Sequence, residues 1–215
     1  MKNFKKRLLE KARLYLIIDK ETLKKRATAD IDSWIKKTSA DIVQLRDKAS
    51  RKKDILRMAF RLKGALSGSD KIFIINDYLD VAKIIDADGL HLGQDDIPVR
   101  IARKLLGREK IIGISCHNIK QALQAEKQGA DYIGIGPIFP TPLKPGITKT
   151  INPGLIKTLK SKLKIPLFAI GGISLENIKQ LSACGVNRIA LCRGILNSKS
   201  INRTARLIKR RLKAN

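Results

Sequence analysis

The sequence predicts an α/β protein with a single (β/α)8 TIM barrel, whose active site lies at the carboxyl ends of the strands. Short apolar, β-branched runs alternate with longer amphipathic stretches along the chain, which is typical of βα repeats and a parallel sheet. Eight such runs fit within 215 residues, the size of a compact barrel. The segment after the first run, Asp19–Thr22, lacks the glycines that mark an open dinucleotide-binding sheet.

No linker interrupts the pattern, so one domain is predicted over residues 1–215, with a basic N-terminal extension at about 1–13 and a basic C-terminal helix at about 199–215. Hydrophobic residues make up 43% of the chain, and no apolar run approaches the length of a membrane helix. Asp19 and Lys20 interrupt the apolar part of the N-terminal stretch early, which argues against a secretory signal. The sequence therefore predicts a cytoplasmic protein without a membrane partner.

The charge balance is strongly basic, with 45 Lys and Arg residues against 19 Asp and Glu residues and a formal net charge of +26. Such a charge is compatible with nucleic-acid binding, with steering of anionic substrates, or with solvated helix faces. Aromatic residues make up only 4%, so stacking platforms for bases are scarce, and nucleic acid is not predicted as the main partner. Whether the chain forms a homo-oligomer is left open. The three cysteines lack metal-site spacing and are expected to be free thiols: Cys116, Cys184 and Cys192.

Each repeat is expected to contribute one strand and one helix. Clear helical patterns cover Lys52–Leu66 and Ile119–Gln128, and Gly129 and Gly185 stand where helix C-caps are common. The predicted strands are, in chain order, Leu14–Ile18, Asp41–Leu45, Ile72–Ile75, Gly89–Leu92, Ile111–Ile114, Tyr132–Ile135, Leu167–Ile170 and Arg188–Leu191.

The second predicted strand ends in alternating polar residues. Gln44, Arg46 and Lys48 are spaced by two, so an extended chain directs them to the same side. An Arg fork beside a Lys favours an anion or diphosphate site. A solvated charged loop remains the alternative.

Acidic residues follow the third and fourth predicted strands. Asn76 and Asp77 end one strand, and Asp96 follows the other. In a barrel both ends meet at one mouth, where one or two carboxylates together with substrate phosphates can hold Mg²⁺. The alternative is that Asp77 and Asp96 are a helix N-cap and a turn residue.

The fifth and sixth strands end in further polar groups. The fifth ends in Ser115-Cys116-His117, and the loop after the sixth would present Thr141 and Lys144 to the mouth as part of a lid. His91 is the other histidine of the chain, and a histidine at such a strand end is more often a structural hydrogen bonder than a catalyst.

Glycines mark the ends of the last two strands. The seventh ends in Gly171-Gly172-Ile173-Ser174 and the eighth in Cys192-Arg193-Gly194, a pattern typical of the phosphate pocket of many barrels. One mouth thus combines a metal and Arg/Lys site with a monophosphate pocket. That combination favours a reaction that joins a diphosphate-bearing substrate to a phosphate-bearing one.

Six segments resemble the thiamine phosphate synthase (thiamine-phosphate pyrophosphorylase) family. The similarity runs in order from Leu14 to about Leu196. The segments are Asp41–Lys48, Ile75–Asp77, Asp88–Asp96, Gly113–His117, Gly129–Thr141 and Ala169–Ile173.

The resemblance implies a Mg²⁺-dependent transferase of thiamine biosynthesis. Hydroxymethylpyrimidine diphosphate would lose diphosphate to give a pyrimidine-stabilised carbocation, which the nitrogen of thiazole phosphate attacks. Catalysis would then be charge stabilisation and positioning, without a protein nucleophile.

The resemblance also implies roles for individual residues. Asp77 and Asp96 would hold Mg²⁺. The pyrimidine diphosphate would be held by Gln44, Arg46, Lys48 and Asn76. Ser115 and Lys144 would contact the diphosphate or the reacting centre, and Leu45 and Asp47 are also expected to bind substrate. The thiazole phosphate would be bound by Thr141, Pro142, Leu143, Gly172, Cys192 and Arg193. The catalytic groups would be Arg46, Lys48, Ser115 and Lys144.

The chain departs from the family pattern on the thiazole side. The family loop Thr-x-Thr-Lys is Thr141–Lys144 here, with Leu143 in place of the second hydroxyl, and Arg193 stands where serine is usual. The segment Lys20–Trp34 is poorly matched. The nearest alternative is the thiazole tautomerase, a paralogue that works without metal and that typically lacks the acid at the position of Asp96. A non-catalytic barrel that binds phosphate ligands or nucleic acid is the remaining alternative.

Overall fold

Eight parallel strands close into a barrel, each pairing with its neighbours in sequence and β1 pairing with β8. The structure is a computed structural model that describes residues 4–23, 30–141 and 150–213. The strands are β1 Leu14–Asp19, β2 Ile42–Arg46, β3 Ile72–Asn76, β4 Gly89–Leu92, β5 Ile111–Cys116, β6 Tyr132–Ile135, β7 Leu167–Ile170 and β8 Ile189–Leu191. The predicted fold class is confirmed.

Helices surround the barrel and bury their apolar faces against it. The first and last described helices bury leucine and isoleucine side chains such as Leu9, Ile201 and Ile208. The helices are α1 Phe4–Lys11, α2 Lys20–Leu23, α3 Ile31–Lys37, α4 Lys52–Leu66, α5 Leu79–Ile84, α6 Val99–Leu106, α7 Ile119–Lys127, α8 Gly154–Lys162, α9 Ile178–Ala183, α10 Arg193–Leu196 and α11 Ile201–Lys213. Within the described ranges, none of them is long and apolar enough to cross a membrane.

Three aromatic rings fill the inside of the barrel. Tyr15, Tyr132 and Phe168 lie with ring centroids 5.6–5.8 Å apart in tilted and edge-to-face pairs. The Tyr132 ring passes so close to β5 that a Cβ on Gly113 would lie 1.9 Å from its Cζ. Glycine at this position is therefore a packing requirement.

Acidic side chains tie together the amino-terminal ends of the strands, opposite the mouth. Asp41 accepts hydrogen bonds from the backbone N–H groups at the start of β1. Asp88 accepts from the N–H of Phe73, and Asp131 accepts from the N–H of Ile112. These acids belong to the family-like segments, but their role here is to hold the strands in register.

Most strand ends agree with prediction to within one or two residues. Several strands reach further at their carboxyl ends because polar residues join the ladder: Asp19 pairs with Arg46, and Asn76 pairs with His91. The predicted C-caps Gly129 and Gly185 have φ of 92° and 73°, the left-handed conformation that ends a helix.

Candidate active site

The Arg46 guanidinium is held at the mouth of the barrel by a buried carboxylate. Gln44 and Arg46 face the interior, while Leu45, between them, is buried on the helix side. Arg46 pairs with Asp19, which is 1% exposed and also accepts hydrogen bonds from the N–H and Oγ1 of Thr22 at 3.0 and 2.9 Å. Asp19 was not predicted as a site residue from the sequence, where it marks only the end of the first apolar run. Its position at a strand end, one residue beyond the predicted strand, was the signal that could have identified it.

Asp47 builds the turn that follows β2. Its buried carboxylate accepts from the backbone N–H groups of Ala49 and Ser50 and lies 3.7 Å from the Lys20 Nζ. Burial raises the pKa of Asp47, but the Ser50 and Ala49 hydrogen bonds and the Lys20 charge outweigh it and lower the pKa overall. Asp47 thus shapes the loop and does not line the cavity described below.

Lys48, Asp77 and Asp96 form a charged cluster, named here the acidic cluster, beside the ends of β3 and β4. The Lys48 Nζ lies 3.1 Å from Asp77 Oδ2 and its side chain is 57% exposed. Asp77 has a φ of +63°, and its N–H donates to the His91 carbonyl at 2.8 Å. Asp96 Oδ2 accepts from the Gly93 N–H at 2.6 Å.

The two carboxylates of the acidic cluster face each other. Burial, followed by the contact with Asp96, raises the pKa of Asp77, and Lys48 opposes the shift. Two juxtaposed carboxylates are the protein share of a typical Mg²⁺ site, whose other ligands are substrate phosphates and water. Among the described residues no three or more His, Cys, Asp or Glu side chains form a group able to hold a metal unaided. The pair therefore fits Mg²⁺ bound together with a substrate.

A buried chain of hydrogen bonds links β1, β2, β4, β5 and β6. Gln44 Nε2 donates to the Tyr15 hydroxyl at 2.8 Å, and the Tyr15 and Tyr132 hydroxyls are 2.8 Å apart. His91 joins Tyr132 through Nδ1 and Ser115 Oγ through Nε2, both at 2.9 Å. Gln44, His91 and Ser115 were predicted from the sequence, but the two tyrosines were not. Tyr15 and Tyr132 lie two residues before Ile17 and Gly134 on the same strands and so face the same inward side, and this spacing could have identified them.

The glycines after β7 are held against the loop that follows β6. Gly171 and Gly172 have φ of 101° and 62°. A Cβ on Gly172 would lie 2.6 Å from both the Phe139 Cβ and the Pro140 carbonyl oxygen. The close approach of the two loops accounts for the Gly-Gly pair, which brings the end of β7 to the cavity wall.

Arg193 lies at the first position of α10, at the end of β8. Its Nε is buried and has no hydrogen-bond partner among the described residues. Cys192 precedes it, with Sγ 3.6 Å from the Thr22 Oγ1, and burial raises the pKa of the Cys192 thiol to about 11. A neutral thiol and an unused guanidinium N–H therefore stand together at this wall.

One cavity of about 240 Å³ at the carboxyl ends of the strands unites half of the predicted site residues. Of the predicted residues, its lining includes Gln44, Arg46, Asn76, Ser115, Thr141, Gly172, Cys192 and Arg193. Leu45, Asp47, Lys48, Asp77 and Asp96 are not among its lining residues. Pro142, Leu143 and Lys144 lie outside the described residues.

Comparison with known proteins assigns the chain to a family. A family model described as thiamine monophosphate synthase matches residues 14–195. The chain belongs to the thiamine monophosphate synthase family. The predicted family and the predicted transferase class are thereby confirmed.

Relatives from bacteria and archaea share this assignment along nearly their whole length. The chain is 43% identical over 192 residues to a thiamine-phosphate synthase of Halalkalibacterium halodurans, covering 89% of this chain and 91% of the relative. It is 39% identical over 214 residues to a thiamine-phosphate synthase of Methanosarcina barkeri, covering 98% and 96%.

A solved structure of a thiamine phosphate pyrophosphorylase has the same fold. The thiamine phosphate pyrophosphorylase of Pyrococcus furiosus superposes with a TM-score of 0.84 at 28% identity, covering 99% of this chain and 98% of its own. A 3-hexulose-6-phosphate synthase of Salmonella typhimurium, at 14% identity and a TM-score of 0.68, shares the fold alone.

Proposed function

We propose that this protein is a thiamine phosphate synthase that joins hydroxymethylpyrimidine diphosphate to thiazole phosphate with the help of Mg²⁺, releasing diphosphate. The observation that carries the proposal is the cavity at the carboxyl ends of the strands, lined on one wall by Gln44, Arg46 and Asn76 and on the other by Gly172 and Arg193. Each wall presents groups that recognise a phosphorylated ligand, so two anionic substrates can meet between them.

The pyrimidine diphosphate is assigned to the wall formed by β2 and β3. Arg46 presents a guanidinium that Asp19 orients, and Lys48 adds an exposed ammonium within the acidic cluster. An oriented fork and a point charge together suit the several oxygens of a diphosphate. Gln44 and Asn76, both buried, offer amide groups for the polar edge of the pyrimidine.

Mg²⁺ would be held by Asp77 and Asp96. When bound, it supplies positive charge that stabilises the leaving diphosphate. Lys48, 3.1 Å from Asp77, would stabilise charge on the same group. The two carboxylates would hold the ion, and Lys48 would offset negative charge on the diphosphate.

The rest of the cavity favours a dissociative reaction. Ile17, Ile170 and Leu191 contribute apolar walls that exclude water from a carbocation. The Cys192 thiol stays neutral, so it does not compete as a nucleophile. Ser115 and Lys144 are assigned to the diphosphate or the reacting centre.

The thiazole phosphate is assigned to the wall formed by β7 and β8. The Arg193 Nε, which has no hydrogen-bond partner in the described part of the chain, supports a charged phosphate contact where the family commonly has serine. Thr141 lines the same cavity, and Pro142 and Leu143 follow it in the loop.

The test is to mix the purified protein with both substrates, with and without Mg²⁺, and to follow thiamine phosphate by oxidation to its fluorescent product. Product formed only with Mg²⁺ supports the proposal. No product in either case contradicts it, and the tautomerase substrate is then assayed. The cytoplasmic location stays a prediction.

A further inference from the structure

The buried chain of hydrogen bonds includes two groups that do not reach the cavity. Gln44, His91 and Ser115 line the cavity, whereas the two tyrosines that connect them are not among its lining residues. The four hydrogen bonds of the buried chain are each 2.8 or 2.9 Å long. The tyrosines therefore act on the site only through their neighbours.

The number of protons available along this chain of hydrogen bonds determines which group donates in each bond. Burial raises the pKa of both Tyr15 and Tyr132, so each hydroxyl keeps its one proton. Tyr15 accepts from Gln44 Nε2 and so donates to Tyr132. Tyr132 in turn donates to Nδ1 of His91, which must be unprotonated there. His91 then carries its proton on Nε2 and donates it to Ser115 Oγ.

We propose that this chain fixes His91 as the Nε2–H tautomer, with Tyr132 as a positioning residue, and thereby makes the Ser115 hydroxyl a hydrogen-bond donor towards the cavity. The inference deepens the proposed function and rests on it for its effect on turnover. It means that the substrate atom next to Ser115 is an acceptor, either a pyrimidine ring nitrogen or a diphosphate oxygen.

Packing holds the imidazole in the required orientation. The rings of His91 and Tyr132 stack with centroids 5.5 Å apart and planes inclined by 29°. Gln94 Nε2 donates to the Ser115 carbonyl at 2.7 Å and fixes the end of β5. A ring turned about its χ2 angle would lose both nitrogen contacts at once.

The opposite direction is a distinct chemical state. With the Gln44 amide turned, Oε1 would accept from Tyr15, every proton would move to the other partner, and Ser115 would donate to His91. Ser115 would then offer only lone pairs to the cavity. The tautomer of His91 therefore reports which state the protein adopts.

Nitrogen-15 NMR of histidine-labelled protein, at a pH where both imidazoles are neutral, measures this tautomer directly. The chain has two histidines, and His117 Nδ1 lies 2.5 Å from the Gly136 carbonyl, which can only accept. We expect His117 as Nδ1–H and His91 as Nε2–H, assigned with a His117→Gln variant. His91 found as Nδ1–H would overturn the proposal.

Two variants test the role of the tyrosines. Tyr132→Phe should give a mixture of His91 tautomers and lower kcat by about tenfold or more, with a KM for the pyrimidine diphosphate within about threefold. Tyr15→Phe, the second variant if Tyr132→Phe does not fold, should also mix the tautomers. Tyr78→Phe is the matched control, because Tyr78 is half-buried outside the chain of hydrogen bonds, and its His91 signals should match the parent.

The outcomes separate this inference from the proposed function. An unchanged His91 tautomer in both tyrosine variants overturns the positioning role, whatever the activity. The expected tautomers in a protein that makes no thiamine phosphate would support the chain of hydrogen bonds and contradict the proposed reaction.

Discussion

At the scale of single residues, Asp96 offers a direct test of the metal role. Asp96→Ala should lower kcat by at least about a hundredfold, since it removes one of two groups assigned to the ion that stabilises the leaving group. Stability without Mg²⁺ should change little, because relief of the repulsion between Asp96 and Asp77 offsets the loss of the hydrogen bond from the Gly93 N–H. Turnover across a Mg²⁺ titration and thermal unfolding measure both effects.

The neighbouring acid supplies a matched control. Asp95 is exposed, so Asp95→Ala should leave turnover unchanged. Near-normal turnover of Asp96→Ala in saturating Mg²⁺ would rule out the metal role.

Arg193 tests the departure from the family pattern. Arg193→Ser should raise the KM for thiazole phosphate by about 10- to 100-fold, the range expected for loss of a charged hydrogen bond. The KM for the pyrimidine diphosphate should change little. Arg193→Lys is the control, because it keeps the charge but loses the guanidinium fork. Its KM for thiazole phosphate should lie between those of the parent and of Arg193→Ser. An unchanged thiazole KM in Arg193→Ser would mean that the guanidinium takes no part in binding.

Asp19 tests how Arg46 is oriented. Asp19→Asn keeps the size of the side chain but removes the charge that pairs with Arg46. We expect kcat/KM for the pyrimidine diphosphate to fall by about tenfold or more, since charge-assisted bonds contribute about 1.5–3 kcal/mol. Asp32→Asn, which removes an exposed ion pair with Arg61, is the comparison and should have little effect. Equal kinetics for Asp19→Asn and the parent would contradict the orienting role.

At the scale of elements, the contact between β5 and the Tyr132 ring predicts a strong packing effect. Gly113→Ala should destabilise the fold by about 1–3 kcal/mol or more, because the new methyl group overlaps a buried ring. Gly64→Ala is the matched control: it lies inside α4 with no atom within 4 Å of the added Cβ, and should stabilise by about 0.4–1 kcal/mol. Urea unfolding of both variants measures the difference. A Gly113→Ala variant as stable as the parent would show that the ring moves aside at little cost.

The strands were predictable from sequence because each is a short apolar run between amphipathic stretches. Their polar ends were less so. Because Asp19 and Arg46 are charged, the hydrophobic pattern places both outside the strands, yet they pair with each other in the ladder of β1 and β2. Gln44 was found because it interrupts an apolar strand, and Ser115 was found because it follows an apolar strand as its polar end. Tyr15 and Tyr132 were missed because, in sequence, a tyrosine within a strand resembles any other buried aromatic residue.

At the scale of the whole molecule, the formal charge of +26 predicts how ionic strength acts. The apparent KM for both anionic substrates should rise with salt, because long-range attraction is screened beyond about 8 Å at physiological ionic strength. Any binding to nucleic acid should weaken steeply over the same range. Kinetics and filter binding across a salt series measure the two effects. Tight nucleic-acid binding that persists at physiological salt would contradict the expectation.

The sequence predicted the residues at both walls of the cavity but not which predicted residues lie outside its lining. Lys48, Asp77 and Asp96 share a mouth with Arg46, yet the structure sets them beside the cavity and not in its lining. Strand order alone cannot make this distinction, since it fixes which ends meet but not how far each side chain reaches.

The acids at the amino-terminal ends of the strands have a consequence for how such proteins are recognised. Asp41, Asp88 and Asp131 bond to backbone groups of neighbouring strands, on the side away from the chemistry. They are nevertheless part of the segments by which the chain resembles its relatives. A search pattern built on those segments therefore detects residues that assemble the barrel as well as residues that act in catalysis. A duplicated copy that had lost its reactive groups would keep these acids and still be grouped with working enzymes.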